Sequence, residues 1–346
     1  MHLKVRKIAV LGAGSWGTAL AHHLRRANYE VCLWGRDEGV LKSISEEREN
    51  PKYLSGESLA AGIRVSTCLV EAVAGAELLV IALPSSAVRA EISAVKAHVP
   101  KGLLIVSAVK GLENATLKRM SVVIEEELGK ENPVSVLSGP SFAREVVRGK
   151  PTAVTLACLD ESVAQQIAEV FHYDSFRVYT STDVIGVEFG GVFKNIIAIA
   201  AGVVDGLQMG NNARAALITR GLSEMQRLVV ALGGSALTVG GLSGLGDLLL
   251  TATGDLSRNR QVGIRLGQGE QLEDILGSLG QVAEGVQSAS KVLALAKRHN
   301  VPVPITEEVV KLLTKQCSIK DSVNALLSRT RAGEISFLEG FRFKFY

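Results

Sequence analysis

The 346-residue sequence contains only four cysteines, and they lie far apart at Cys32, Cys68, Cys158 and Cys317. They form no C-x-x-C pair, and no histidine stands near them at the spacing of a metal ligand. This pattern argues against a zinc site and favours the reduced thiols of a cytoplasmic protein. We therefore expect no bound metal.

Net charge is also scarce, since 38 Lys and Arg residues against 35 Asp and Glu residues leave only +3. A nucleic-acid-binding protein would carry a larger and clustered positive charge, so we expect no such partner. The small excess still leaves room for a local basic pocket that takes an anionic substrate.

A long unbroken apolar run is missing as well. Residues 228–246 carry no charge but contain six glycines, which favours a buried helix and a glycine loop over a membrane span. The first residues have a basic start and an apolar run, as in a signal peptide, but their glycine spacing favours another interpretation. We expect a cytoplasmic protein without a membrane span.

Strand and helix patterns alternate through the first half of the chain. With 346 residues, two domains are the default expectation. The predicted strands are Lys7–Leu11, Glu30–Trp34, Leu78–Leu83, Leu103–Ser107, Val134–Leu137, Thr152–Ala157 and Phe176–Tyr179. No strand pattern of that strength follows Thr182. The sequence therefore predicts a Rossmann-type doubly wound α/β domain in residues 1–182 and an all-α domain in residues 183–346.

A glycine motif connects the first strand to the first helix. Gly12, Gly14 and Gly17 have the G-x-G-x-x-G spacing, with Ser15 and Trp16 between them. The first glycine allows a tight turn, the second a close approach of a pyrophosphate, and the third close packing of helix and strand. Because the helix N-terminus attracts phosphate, this context predicts dinucleotide binding. The alternative is a glycine turn that serves only packing.

Arg36 bears on the choice of cofactor. It follows the second strand, where a cation would receive the 2′-phosphate of NADP(H), and Asp37 stands one place later than the acid of an NAD-selective fold. NADP(H) is favoured, with use of both cofactors left open. The alternative is an exposed charge at a helix start.

Residues 183–206 predict one long helix, with Asp183 as N-cap and Gly206 as stop signal. One face carries small residues around a single lysine: Gly186, Gly190, Lys194, Ala198 and Gly202. Glycine inside a helix costs about 1 kcal/mol relative to alanine, which suggests that another part of the chain approaches closely. Lys194 either extends to the surface past its small neighbours or points into a cleft as an acid or base.

Other candidate ligands follow strands or begin helices. Lys110 and the turn from Ser138 to Ser141 follow predicted strands, where open α/β sheets bind ligands. Ser257, Arg258 and Asn259 begin a helix and offer a hydroxyl, a guanidinium and an amide to an anion. The alternative for this segment is an ordinary helix cap with exposed arginines. Beyond residue 285 the pattern is helical to about Arg331.

With these residues in view, the chain closely resembles the bacterial NAD(P)-dependent glycerol-3-phosphate dehydrogenases from about Lys7 to Arg331. The resemblance is carried by seven stretches in order: GAGSWGTALA, SAVKGLE, LSGPSFAREV, GVEFGGVFKNIIAIAAG, NNARAALITRG, GLGDLLLT and TGDLSRNR. Two features depart from the family pattern: Ala252 stands where many relatives have cysteine, and the aromatic and basic tail after residue 334 is not a family feature.

The resemblance implies hydride transfer between NAD(P)H and dihydroxyacetone phosphate, giving sn-glycerol 3-phosphate for phospholipid synthesis, by a homodimer. Lys194 matches the catalytic lysine and Lys110 a second active-site lysine. Implied substrate ligands are these two lysines with Gly139, Ser141, Asp247, Ser257, Arg258 and Asn259. Implied cofactor ligands are Ser15, Trp16, Arg36, Lys110, Ala143, Arg258, Val282 and Glu284, beside the glycines Gly12, Gly14 and Gly17.

A lysine can serve this reaction as acid and base only if its pKa falls. Free lysine titrates near 10.4, and a value of about 7 or 8 requires roughly 4 kcal/mol of differential interaction. Partial burial of Lys194 and the like charge of Lys110 would act in that direction. Two rival functions remain: a related dehydrogenase of another sugar phosphate or β-hydroxy acid, and a non-catalytic NAD(P)H sensor.

Overall fold

The structure, a computed structural model, describes residues 5–279 and 283–328. Its first part contains eight strands in one sheet. The strands are β1 (Lys7–Leu11), β2 (Glu30–Trp34), β3 (Arg64–Ser66), β4 (Leu78–Ile81), β5 (Leu104–Ser107), β6 (Val134–Ser138), β7 (Thr152–Ala157) and β8 (Phe176–Ser181).

The sheet has the order β3-β2-β1-β4-β5-β6-β7-β8, which confirms the predicted doubly wound architecture. All neighbouring strands run parallel except β6 and β7, which are antiparallel. The strand order reverses between β1 and β4, so a crevice forms beyond their carboxyl ends. The glycine motif lies at this reversal, directly after Leu11.

Helices surround the sheet and make up the second part of the chain. In the first part these are α1 (Ser15–Arg26), α2 (Glu38–Glu46), α3 (Leu69–Val73), α4 (Val88–Val95), α5 (Met120–Leu128), α6 (Ala143–Val147) and α7 (Glu161–Phe171). In the second part they are α8 (Val184–Gly206), α9 (Asn211–Ala231), α10 (Ala236–Val239), α11 (Asp247–Thr253), α12 (Arg258–Gly267), α13 (Leu272–Leu279), α14 (Glu284–Arg298), α15 (Pro304–Leu313) and α16 (Ile319–Leu327).

Both faces of the sheet are buried, because alternate residues of each strand point to opposite faces. On β1, Ile8 and Val10 pack with α1, α2 and α7, whereas Ala9 and Leu11 pack with α3, α4 and α5. The continuous apolar strands of the sequence follow from this double coverage.

Helix α8 is the centre of a separate apolar core in the helical part. Asp183 caps its N-terminus by accepting a hydrogen bond from the Gly186 amide at 2.8 Å, and the helix ends at Gly206, as predicted. A Cβ on Gly190 would lie 2.4 Å from the Ser243 carbonyl oxygen, and one on Gly202 would lie 2.1 Å from that of Arg260. The backbone at Ser243 and at Arg260 therefore approaches α8 closely at these two glycines, as expected.

Several boundaries differ from the sequence prediction. The predicted strand Leu78–Leu83 ends at Ile81, because Pro84 follows and the chain turns toward α4. Strand β3 was not predicted, since three residues at the sheet edge give too short an apolar pattern. The continuous helix expected after residue 285 is divided into α14, α15 and α16 by the turns at residues 299–303 and 314–318.

Two stretches, Val184–Gly206 and Ala236–Thr253, have the length and composition of a membrane span within the described residues. The first is the core helix α8, with 94% of its apolar window buried inside the protein. The second includes a π-helix at Leu242–Gly246 and is divided between α10 and α11. Length and apolar composition are shared by buried core helices, so these stretches are weak evidence for a membrane protein. The predicted domain boundary at residue 182 stays a prediction.

Candidate active site

The glycine motif forms one wall of a cavity of about 330 Å³. Gly12 has φ +119°, and a Cβ on Gly17 would lie 1.9 Å from the Gly12 carbonyl oxygen, so both positions require glycine. A Cβ on Gly14 would meet no atom within 4 Å, because this residue borders the cavity. Ser15 begins helix α1 directly behind it.

These features fit a dinucleotide. The amides at the N-terminus of α1 face a space that would be filled by a phosphate group. Trp16 lines the same cavity, and its indole nitrogen is buried without a hydrogen-bond partner among the described residues. Gly12, Gly14, Ser15 and Trp16 would hold the cofactor, and Gly17 would act through packing.

Asn50 supports this loop and was missed in the sequence. Its side chain is fully buried and donates hydrogen bonds to the Ala13 carbonyl at 3.0 Å and to the Thr18 hydroxyl at 2.9 Å. It lies in an irregular segment that no motif marks. A local pattern could not have indicated the contact, because Asn50 is 37 residues from Ala13.

Arg36 lines the cavity where the sequence predicts the 2′-phosphate, but it is already paired. Its guanidinium donates to the Glu91 carboxylate of α4. Asp37 lines the same region, caps α2 through the Val40 amide, and forms an ion pair with Lys52 at 3.0 Å. Both predicted residues lie in the pocket, and Glu91 is a neighbour that sequence reasoning did not identify.

A second cavity of about 170 Å³ adjoins the first and contains the two predicted lysines. The Lys194 ammonium donates to Asp247 Oδ1 and to the Thr251 hydroxyl, both at 2.7 Å. The Lys110 ammonium donates to Asp247 Oδ2 at 2.7 Å. One carboxylate therefore holds both cations, and all three side chains are largely buried, at 15% exposure or less.

Burial and the neighbouring charges together set the protonation of this cluster. Burial lowers the pKa of Lys194 to about 8; Asp247 opposes the shift and Lys110 reinforces it. Burial favours the neutral acid at Asp247, but the two ammonium groups outweigh it and hold the pKa of this carboxyl below its usual range. Lys194 thus has a pKa close to neutral pH and lies beside an ionised carboxylate. It does not extend to the surface, which removes that alternative.

Glycine creates the space for the cluster. A Cβ on Gly191 would lie 2.7 Å from the Ser138 hydroxyl and 3.5 Å from the Lys110 side chain. Helix α8 can therefore pack against the end of β6 while Lys194 reaches α11. Asp247 is the first residue of α11 and Thr251 lies one turn later on the same face.

Ser257, Arg258 and Asn259 lie together at the start of α12 and line the second cavity. The Ser257 hydroxyl accepts from the Arg260 amide at 3.2 Å, so the cap interpretation is correct for this residue. Asn259 donates to Asn195 at 2.9 Å and accepts from the Gly285 amide at 3.0 Å.

The carboxyl of Glu284 reaches both cavities from the N-terminus of α14. Burial raises its pKa, and Arg258 opposes that shift most strongly. Burial in turn lowers the pKa of Arg258, with Glu284 acting against it. The two side chains therefore influence each other's protonation at the junction of the cavities.

The remaining predicted residues lie nearby with one exception. Ser141 and Ala143 line the second cavity, and the Gly139 carbonyl is 3.4 Å from the Lys110 ammonium. Val282 lies outside the described residues, as does the C-terminal tail. Asn195 and Thr251 also line the cavity and were not identified from the sequence. Asn195 directly follows Lys194 on α8, and Thr251 lies one helical turn after Asp247 on α11.

Two family models match the chain. The N-terminal part of the NAD-dependent glycerol-3-phosphate dehydrogenases matches residues 7–164, and the C-terminal part matches residues 183–324. A glycerol-3-phosphate dehydrogenase [NAD(P)+] of Nitratidesulfovibrio vulgaris is 49% identical over 324 residues, covering 93% of this chain and 98% of the relative. One from Moorella thermoacetica is 49% identical, covering 95% and 97%.

Solved structures agree with these sequence comparisons. The crystal structure of glycerol-3-phosphate dehydrogenase from Coxiella burnetii has a TM-score of 0.90 at 40% identity and covers 94% of this chain and 99% of that one. Sequence, fold and the paired cavities thus lead to one assignment. The chain belongs to the NAD-dependent glycerol-3-phosphate dehydrogenase family of oxidoreductases.

Proposed function

We propose that this chain catalyses the reversible NAD(P)H-dependent reduction of dihydroxyacetone phosphate to sn-glycerol 3-phosphate. The observation that carries the proposal is the junction of the two cavities, which share Ser15, Trp16, Ala82, Leu83, Arg258 and Glu284. A dinucleotide seated on the glycine loop would extend toward the cavity that holds Lys194. The product would supply phospholipid synthesis.

Lys194 acts as the general acid and base. A bound nicotinamide supplies or accepts the hydride. The Lys194 ammonium donates a proton to the carbonyl oxygen of the substrate during reduction, and the neutral amine removes the hydroxyl proton in the reverse direction. With a pKa lowered to about 8, both forms of this side chain are accessible near neutral pH.

Lys110 and Asp247 complete the catalytic group. Asp247 fixes the position of the Lys194 ammonium by a hydrogen bond of 2.7 Å, and Thr251 fixes it from the next helical turn. Lys110 faces the same cavity and adds positive charge where negative charge develops on the carbonyl oxygen. The positive charge of Lys110 also disfavours the protonated form of Lys194, so it lowers the pKa of Lys194 and eases release of the proton.

The start of α12 binds the substrate phosphate. Arg258 supplies a planar guanidinium, and Ser257 and Asn259 supply polar groups at a helix N-terminus. Ser141 lines the same cavity, and its hydroxyl donates to the Gly139 carbonyl, which lies 3.4 Å from the Lys110 ammonium. Ala143 and Glu284 border the cofactor, and the role that the resemblance implies for Val282 lies outside the described residues. We further propose that NADPH is favoured through Arg36 and that the enzyme is a cytoplasmic homodimer.

Steady-state reduction of dihydroxyacetone phosphate, followed by loss of absorbance from NADPH and NADH in parallel, tests this function. Turnover with both cofactors and a higher kcat/KM with NADPH are expected. A panel of other sugar phosphates and β-hydroxy acids identifies the rival dehydrogenase if one of them is preferred. Tight nucleotide binding without turnover of any substrate would support the rival sensor instead.

A further inference from the structure

Glu91 occupies an unexpected position for a site that favours NADPH. It lies on α4, lines the cofactor cavity, and pairs with Arg36, the cation expected to receive the 2′-phosphate. The Glu91 side chain is only 9% exposed, whereas that of Arg36 is 70% exposed. The carboxylate is therefore held by its surroundings, and the guanidinium can reorient toward solvent.

We propose that Glu91 is a specificity-determining residue that limits the preference for NADPH over NADH. This inference rests on the proposed function and concerns the same cofactor site. Arg36 attracts the 2′-phosphate, but it must share its charge between that phosphate and a buried carboxylate. The ribose 2′-hydroxyl of NADH carries no charge, so NADH can bind while Arg36 stays paired with Glu91.

The other charges around the cavity support this argument. Among the described residues, the charged ones that line this cavity are two cations, Arg36 and Arg258, and three carboxylate residues, Asp37, Glu91 and Glu284. Asp37 is paired with Lys52 beside the same end of the cavity. Positive charge therefore has no excess there, and a 2′-phosphate brings nearly two further negative charges next to Glu91. Like charges at such a contact weaken binding.

The test uses the change Glu91→Gln, which removes the charge and keeps the size of the side chain. Isothermal titration of the full chain with NADP+ and with NAD+, without substrate, gives the ratio of the two dissociation constants. Glu91→Gln is expected to increase the preference for NADP+ by about tenfold, with NAD+ affinity changed by less than about threefold. Glu161→Gln removes an equivalent charge from an exposed position on α7 and should leave the ratio unchanged.

An unchanged ratio would overturn the proposal. A fall in NADP+ affinity alone would also overturn it, because Glu91 would then orient Arg36 for the phosphate. Glu91→Ala serves as a second variant, and loss of both nucleotides in both variants would make Glu91 purely structural. These binding measurements are separate from turnover, so failure of the wild-type chain to reduce dihydroxyacetone phosphate would refute the proposed function alone.

Discussion

The glycine loop and the lysine cluster are built in different ways. The loop occupies six consecutive residues, 12–17, and offers mainly backbone groups at a helix N-terminus. The cluster joins side chains at positions 110, 194 and 247, which come from a loop after β5 and from the helices α8 and α11. The first is a local structure, and the second exists only when the two parts of the chain pack together.

The glycine loop therefore serves cofactor binding, whereas the lysine cluster serves proton transfer. A backbone loop can hold a phosphate through amides that are fixed by the fold. A proton donor must also have a suitable pKa, and that requires burial and neighbouring charges from other elements. Changes in the two regions should therefore affect different measured quantities.

The largest effect is expected for Lys194→Met. The change removes the proton donor and retains an apolar stem of similar length, so kcat should fall by at least about 1000-fold. The dissociation constant for NADPH, measured by fluorescence titration, should change by less than about threefold. Lys297→Met, at an exposed position on α14, is the matched control. A large loss of NADPH binding in Lys194→Met would contradict the division between the two regions.

Arg258→Ala should act on substrate binding. Loss of a charge-assisted contact to the phosphate should raise the KM for dihydroxyacetone phosphate by about 10- to 100-fold. Arg265→Ala is the control on the same helix, since Arg265 pairs with Glu270 and does not line either cavity. An unchanged KM in steady-state assays of Arg258→Ala would place the phosphate elsewhere.

Two alanine substitutions divide the loop itself into binding and packing positions. Gly17→Ala would place a methyl group against the Gly12 carbonyl and should destabilise the protein by about 2 kcal/mol or more. Gly14→Ala meets no protein atom at φ −75°, so its stability should change by less than about 0.5 kcal/mol.

Denaturant unfolding measures the stability of each loop variant, and nucleotide titration measures its binding. Because the methyl group of Gly14→Ala enters the space of the pyrophosphate, NADPH affinity should fall by about tenfold. Equal destabilisation by both substitutions would show that Gly14 also serves packing.

The pH dependence of kcat/KM should reveal the ionisation of Lys194 in the lysine cluster. With the pKa of Lys194 lowered to about 8, kcat/KM for ketone reduction should decline as pH rises above about 8, because the ammonium form is lost. Oxidation of glycerol 3-phosphate should rise over the same range, because it requires the neutral amine. Asp247 raises the pKa of Lys194, so Asp247→Asn should move both transitions to lower pH. Transitions near 10 in the wild-type protein would show that the pKa of Lys194 is not lowered.

Prediction from sequence succeeded where the signal is local. The glycine spacing indicated the cofactor loop, and the small residues beside Lys194 indicated close packing around α8. Glu91 and Asn50 were not identified, because each contacts its partner across a long separation in the chain and neither belongs to a motif. Asp247 was recognised through resemblance, but its simultaneous contact with two lysines was not expected.

The sequence by itself determined the alternation of strands and helices in the first part except for β3, the position of the phosphate-binding loop and the burial of helix α8. Apolar periodicity and glycine spacing act over a few residues, so they can be recognised along the chain. Tertiary structure alone decided that Asp247 holds both Lys110 and Lys194, and that Glu91 is paired with Arg36. Electrostatic pairing depends on distances between remote elements, and those distances are set only when the cores pack.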